Sequence, residues 1–112
     1  MKDFVPYQEA LELKQLGFDE PCFGWFASDR TLVKEVTEKS DFTLAPTYSQ
    51  AFRWFREKHN LKSCIMFRTS MEDNKEYYDW LIKGQEVVYR HFNTYEEAEL
   101  ACLKKLIDLT KD

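Results

Sequence analysis

The chain has 112 residues, enough for one domain with a real core and too few for two ordinary ones. Aromatic residues make up 16% and charged residues 32%, a composition that folds rather than one that stays disordered. The net charge of −4 argues against a general polyanion binder, since nucleic-acid domains carry a basic excess.

The opening Met1-Lys2-Asp3-Phe4-Val5-Pro6 has no apolar signal core, and no run nears the ~20 apolar residues of a membrane span. Cys22, Cys64 and Cys102 are widely spaced and odd in number, with no paired C-x-x-C. Thiols kept in a reducing compartment account for them, so the expected setting is cytoplasmic, with no membrane partner.

Pro6 suits the first turn of a helix, and Ala10, Leu13 and Leu16 follow at helical spacing up to Gly17. A helix is predicted over residues 6–16, with Gly17 in a left-handed cap and Phe18 folding back on the last turn. The aromatic stretch 22–27 reads as a strand, and Ser28-Asp29-Arg30 turns it back toward a partner strand at 31–36. Residues 37–45 read as irregular, anchored by Phe42 and Leu44. Thr47 and Gln50 form a capping box that opens a second helix over 48–59, with Tyr48, Ala51, Phe52, Phe55 and His59 on one stripe.

Three period-two segments follow at 62–69, 76–83 and 86–92, the pattern of an antiparallel meander. A tight turn at Gly84-Gln85 sets Trp80 opposite Tyr89 and Asp79 opposite Arg90, and a four-residue loop at 72–75 sets Phe67 beside Trp80 and Arg68 beside Asp79. Ile65, Phe67, Tyr78, Trp80, Ile82, Val87 and Tyr89 then share the face that receives the helices. Met66, Arg68, Tyr77, Asp79, Leu81, Val88, Arg90 and Phe92 share the other, with Asp79 in a ladder between two arginines. Thr94-Tyr95-Glu96-Glu97 is a second capping box, opening a last helix whose stripe Tyr95, Ala98, Cys102, Leu106, Leu109 is flanked by Leu100, Leu103 and Ile107. Such a helix needs something to pack on, and the strand leading into it points to the meander, with Ala98, Cys102 and Leu106 facing Phe67, Trp80 and Tyr89. The expected class is α+β: an antiparallel three-stranded meander, plus an N-terminal strand or hairpin, with helices on one face, in the order α-β-(β)-α-β-β-β-α within a single domain.

From Pro46 onward the order helix, three strands, helix resembles the double-stranded-RNA-binding domain. That family contacts RNA through a basic Lys-Lys-x-Ala-Lys run opening its last helix. Here the corresponding Thr94-Tyr95-Glu96-Glu97-Ala98-Glu99 is acidic, so the resemblance implies the topology without the RNA contact. The stretches 45–58 and 94–107, with Phe18-Asp19-Glu20-Pro21-Cys22-Phe23-Gly24, are similar to small hypothetical proteins of Bacteroidetes-type bacteria and their phages or mobile elements. That similarity implies no activity and no functional residues.

Arg53, Trp54 and Arg56, with Lys58 and Lys62 nearby, join cations to an aromatic ring, the composition of a nucleic-acid or phosphate contact. The same residues also suit a solvated helix face with Trp54 folded onto a neighbour. Leu100, Leu103 and Ile107 suit a partner or dimer surface, or the seat of the first helix. Asp19, Glu20, Cys22, His59 and His91 are ligand-type residues without metal spacing. The three glycines are dispersed, which excludes a phosphate loop, and Glu96, Glu97 and Glu99 favour a helix start through its dipole. No catalytic residue, cofactor or metal site is expected. A non-enzymatic interaction protein that binds another protein or itself is the leading expectation, and a nucleic-acid-binding module the alternative.

Overall fold

The computed structural model describes residues 4–20, 22, 24–26, 32–33, 43–85 and 91–111. Its elements are α1 (Tyr7–Gln15), β1 (Gly24–Phe26), β2 (Leu32–Val33), β3 (Thr43–Ala45), α2 (Tyr48–Lys58), β4 (Ser63–Thr69), β5 (Glu76–Ile82) and α3 (Tyr95–Thr110).

Local chemistry sets the helix ends. At the end of α1, Gly17 takes φ +103°, the Phe18 amide donates to the Leu13 carbonyl (2.9 Å) and the Gly17 amide to that of Lys14 (3.1 Å). This is a Schellman closure, which seats Phe18 in the core. The α2 start carries the full box: the Gln50 amide donates to Thr47 Oγ1 (3.2 Å) and the Thr47 amide to Gln50 Oε1 (3.0 Å). At α3 only half of the expected box forms. The Glu97 amide donates to Thr94 Oγ1 (3.1 Å), but the Glu97 carboxylate accepts the Thr94 hydroxyl (3.1 Å) and not the Thr94 amide.

The chain is α+β, but its strands are not arranged as the alternation predicts. In place of a three-stranded meander, β4 pairs with β5 alone among the described residues, and Phe92 meets β5 through a bridge to Tyr78. Residues 86–90, with the Tyr89 and Arg90 pairings, lie outside the described residues. The N-terminal strands do not extend that hairpin. They form a separate antiparallel sheet, β2-β1-β3, whose third member is Thr43–Ala45, within the stretch read as irregular. Three residues are too few to show a period. The helices are therefore shared between two sheets: α1 lies against β3, and α3 crosses β4 and β5 and also meets α1 and α2.

Register explains the remaining differences. Phe67 pairs with Tyr78, Ile65 with Trp80 and Met66 with Asp79, two residues away from the expected pairing, because the loop takes six residues with Asn74 at φ +56°. A two-residue slip keeps parity, so Trp80 and Ile82 still face the core. It also carries Phe67 outward along the hairpin, where it is 62% exposed and not under α3 as expected. Beyond β5, His91 takes φ +57°. Phe92, not His91, then pairs with Tyr78, through two hydrogen bonds of 2.8 Å. The pairing is one residue away from the expected one, and Phe92 packs on the helix side, opposite to its expected face. The His91 amide donates instead to Asp79 Oδ1 (3.2 Å). Asp79 is only 1% exposed, so its expected solvated setting is corrected to a buried one, with Met66 directly across from it and Arg68 across from Tyr77; its expected pairing with Arg90 lies outside the described residues.

The core gathers Leu13, Phe18, Phe55, Trp80, Ile82, Leu103, Leu106 and Ile107, from the three helices, the end of α1 and β5. Principal extents of 54 × 28 × 18 Å and a radius of gyration of 15.5 Å describe an elongated body. A compact chain of this length has a radius of gyration of about 13 Å. The β4–β5 hairpin contributes to the difference, since Tyr95 at the start of α3 packs edge-on against Tyr78 and the pairs beyond it run past the helix.

Candidate interaction surface

The basic cluster of α2 does not present its three members together. Trp54 is 4% exposed and makes edge-to-face contacts with Phe18 (5.6 Å between centroids), Phe55 (5.0 Å) and His59 (4.7 Å). Its ring is a core element and is not presented for stacking on a base. Arg53 lies on the surface 3.7 Å from the Glu20 carboxylate, and Arg56 is exposed. An exposed ion pair of that length contributes little.

On the flank of α3, Leu103 and Ile107 are buried in the core, and α1 lies against this helix. Lys111 and Glu12 form an ion pair between the end of α3 and α1. Leu100 stays half-exposed and lines an apolar groove of about 410 Å³ with Phe4, Pro6 and Tyr48, edged by Thr94, Glu96 and Glu97. Burial, with Glu99 and Glu9 nearby, pushes the Tyr48 phenol up to about 12, so it enters the groove wall neutral.

The thiols have little of the character of nucleophiles. Burial pushes Cys102 up to about 12, against a weaker opposing hydrogen bond from Ser63, and burial with Glu20 pushes Cys22 up to about 11. At neutral pH both are protonated, and the protonated thiol is a poor nucleophile and a poor metal ligand. Cys64 is exposed on β4. Among the described residues, Asp19, Glu20, Cys22, His59 and His91 do not converge, and no three His, Cys, Asp or Glu side chains are placed to share a metal. No helix among the described residues is long and apolar enough to cross a membrane.

The surface that sequence reasoning missed is the outer part of the hairpin. Phe67 is 62% exposed in the middle of β4, and Met71 at the tip is 98% exposed. Ile65 and Met66 beside them are half-buried. A signal was present in Glu72-Asp73-Asn74-Lys75: reading Asn74 as the left-handed residue of a longer loop shifts the register outward and exposes Phe67. Comparison with protein-family models, with curated proteins and with solved structures finds no match.

Proposed function

We propose that the chain is a small non-enzymatic interaction protein that docks through the β4–β5 hairpin. The observation that carries this reading is Phe67, a large apolar ring left in water at mid-strand, with Met71 beyond it at the tip. Scattered exposed apolar residues are ordinary, but here they lie on one arm together with the exposed Cys64 and the half-buried Met66. Aromatic residues and methionine are also the side chains enriched where proteins meet. Its setting on this reading is the cytoplasm, where unpaired thiols stay reduced. A phage or mobile-element origin is supported by the similarity of stretches 45–58 and 94–107 noted above.

The test uses sedimentation velocity and affinity capture, comparing the natural chain with a double variant, Phe67→Ser with Met71→Ser. Both positions are exposed, so the variant should keep its circular dichroism and its unfolding midpoint. Self-association or retention of a defined protein by the natural chain, weakened at least tenfold in the variant, is the expected result. A strictly monomeric chain that retains nothing, or a variant that binds as well as the natural chain, would overturn the reading.

A further inference from the structure

We infer that the occupant of the hairpin edge is a second copy of this chain, added antiparallel along β4; the inference rests on the interaction reading above. Within the hairpin, the Lys83 amide donates to the Lys62 carbonyl (2.8 Å) and the Ser70 amide to the Lys75 carbonyl (2.9 Å). The even-numbered residues of β4 therefore aim their backbone groups at β5. Ser63, Ile65, Phe67 and Thr69 aim theirs the other way, toward an edge that no other strand among the described residues covers. Edges left in water are usually blunted by proline, a bulge or several charges. β4 reads Ser-Cys-Ile-Met-Phe-Arg-Thr, unbroken in its ladder, without proline and with Arg68 as its one charge.

The edge is complementary to itself in one register. A two-fold axis at Met66 sets Ser63 opposite Thr69 and Ile65 opposite Phe67 of the other copy, so all four outward residues of each strand exchange hydrogen bonds. Centring on Ile65 or on Phe67 leaves one of the four without a partner inside the strand. Centring on Ile65 also puts Lys62 directly across from Arg68 of the other copy, a repulsive pair. In the Met66 register, Arg68 faces Cys64 and Lys62 faces Ser70, and the exposed Phe67 ring comes down beside Ile65 of the second copy. Strand addition by main-chain pairing, with alternate side chains giving selectivity, is an established mode of recognition.

Arg68 and Cys64 of the other copy would then occupy a non-hydrogen-bonded pair, with Cα atoms roughly 4.5 Å apart, close enough for a disulfide. The R68C variant in a glutathione redox buffer should yield a disulfide-linked dimer in which peptide mapping joins position 68 of one copy to Cys64 of the other. R68C with Cys64→Ser should lose that link. Phe67→Pro removes an outward amide and no bond to β5, so it should leave a folded monomer. If it does not fold, the R68C result decides alone. A chain that stays monomeric at hundreds of micromolar and whose R68C variant does not cross-link would overturn the inference. So would a dimer whose mapped link is absent. Capture of a different protein through Phe67 by a monomeric chain would overturn the second copy yet keep the interaction reading, whereas a monomer that captures nothing loses both.

Discussion

Phe55→Ala should lower the unfolding free energy by about 3–5 kcal/mol, enough to leave much of the chain unfolded at 37 °C if its total stability is in the ordinary range. The ring is fully buried and packs edge-on against Trp54 (5.0 Å) and tilted against His59 (6.0 Å). Its carbonyl also closes the end of α2, accepting from the His59 amide (3.1 Å) and the Leu61 amide (3.0 Å), with Asn60 between them at φ +54°. Truncation removes the ring and leaves those backbone bonds in place, so the loss is one of packing and cavity rather than of the cap. Urea unfolding followed by tryptophan fluorescence measures it, and Trp54 should report the vacated space as a changed native emission. A loss below about 1 kcal/mol would mean that neighbouring side chains collapse into the space or that Phe55 is not a core residue.

The second large effect is expected on α3. Leu106→Ala should cost about 2–5 kcal/mol, whereas Lys104→Ala, two residues earlier on the exposed side, should stay within about 0.5 kcal/mol. Ala98, Cys102 and Leu106 are fully buried where α3 crosses β4 and β5, and Lys104 is exposed. Comparing the denaturation midpoints of the two variants is a direct check on which face of the helix meets the hairpin. Equal midpoints would put the wrong face inward.

What the sequence made legible was short in range. The Gly17–Phe18 closure, the Thr47–Gln50 box and the Thr94 cap involve residues at most a few positions apart, so their chemistry can be read without knowing the fold. The buried stripe Ala98, Cys102, Leu106 followed from the α3 start by counting turns. Pairing was less legible. β3 finds β1 across some twenty residues of chain, through three residues that carry no period. The slip that exposes Phe67 goes with one left-handed residue, Asn74, and the offset that turns Phe92 over goes with another, His91. Asparagine and histidine are only modestly favoured in that conformation, so neither marks its position as a glycine would. Leu103 and Ile107, which suit either a partner or the first helix, are in the core with α1 against α3, while Phe67, expected under α3, is in water.

The hairpin's reach past α3 also sets how the molecule opens in time. Near Ser63 and Ile82 the ladder lies under α3, with Ile82 and Trp80 buried, and freeing a strand amide there requires opening the core. From the Phe67–Tyr78 pair outward no side chain of the ladder is fully buried, the half-buried Tyr78 and Tyr77 packing edge-on against Tyr95 and His91, so these pairs should open more readily than those under the helix. Amide hydrogen exchange should thus run as a gradient along the β5 amides that point at β4, slow at Leu81 and fast toward Tyr77, in the isolated chain. A second strand laid along β4 would slow the outward amides of Phe67 and Thr69, making the loosest part of the monomer one of its slower parts once paired.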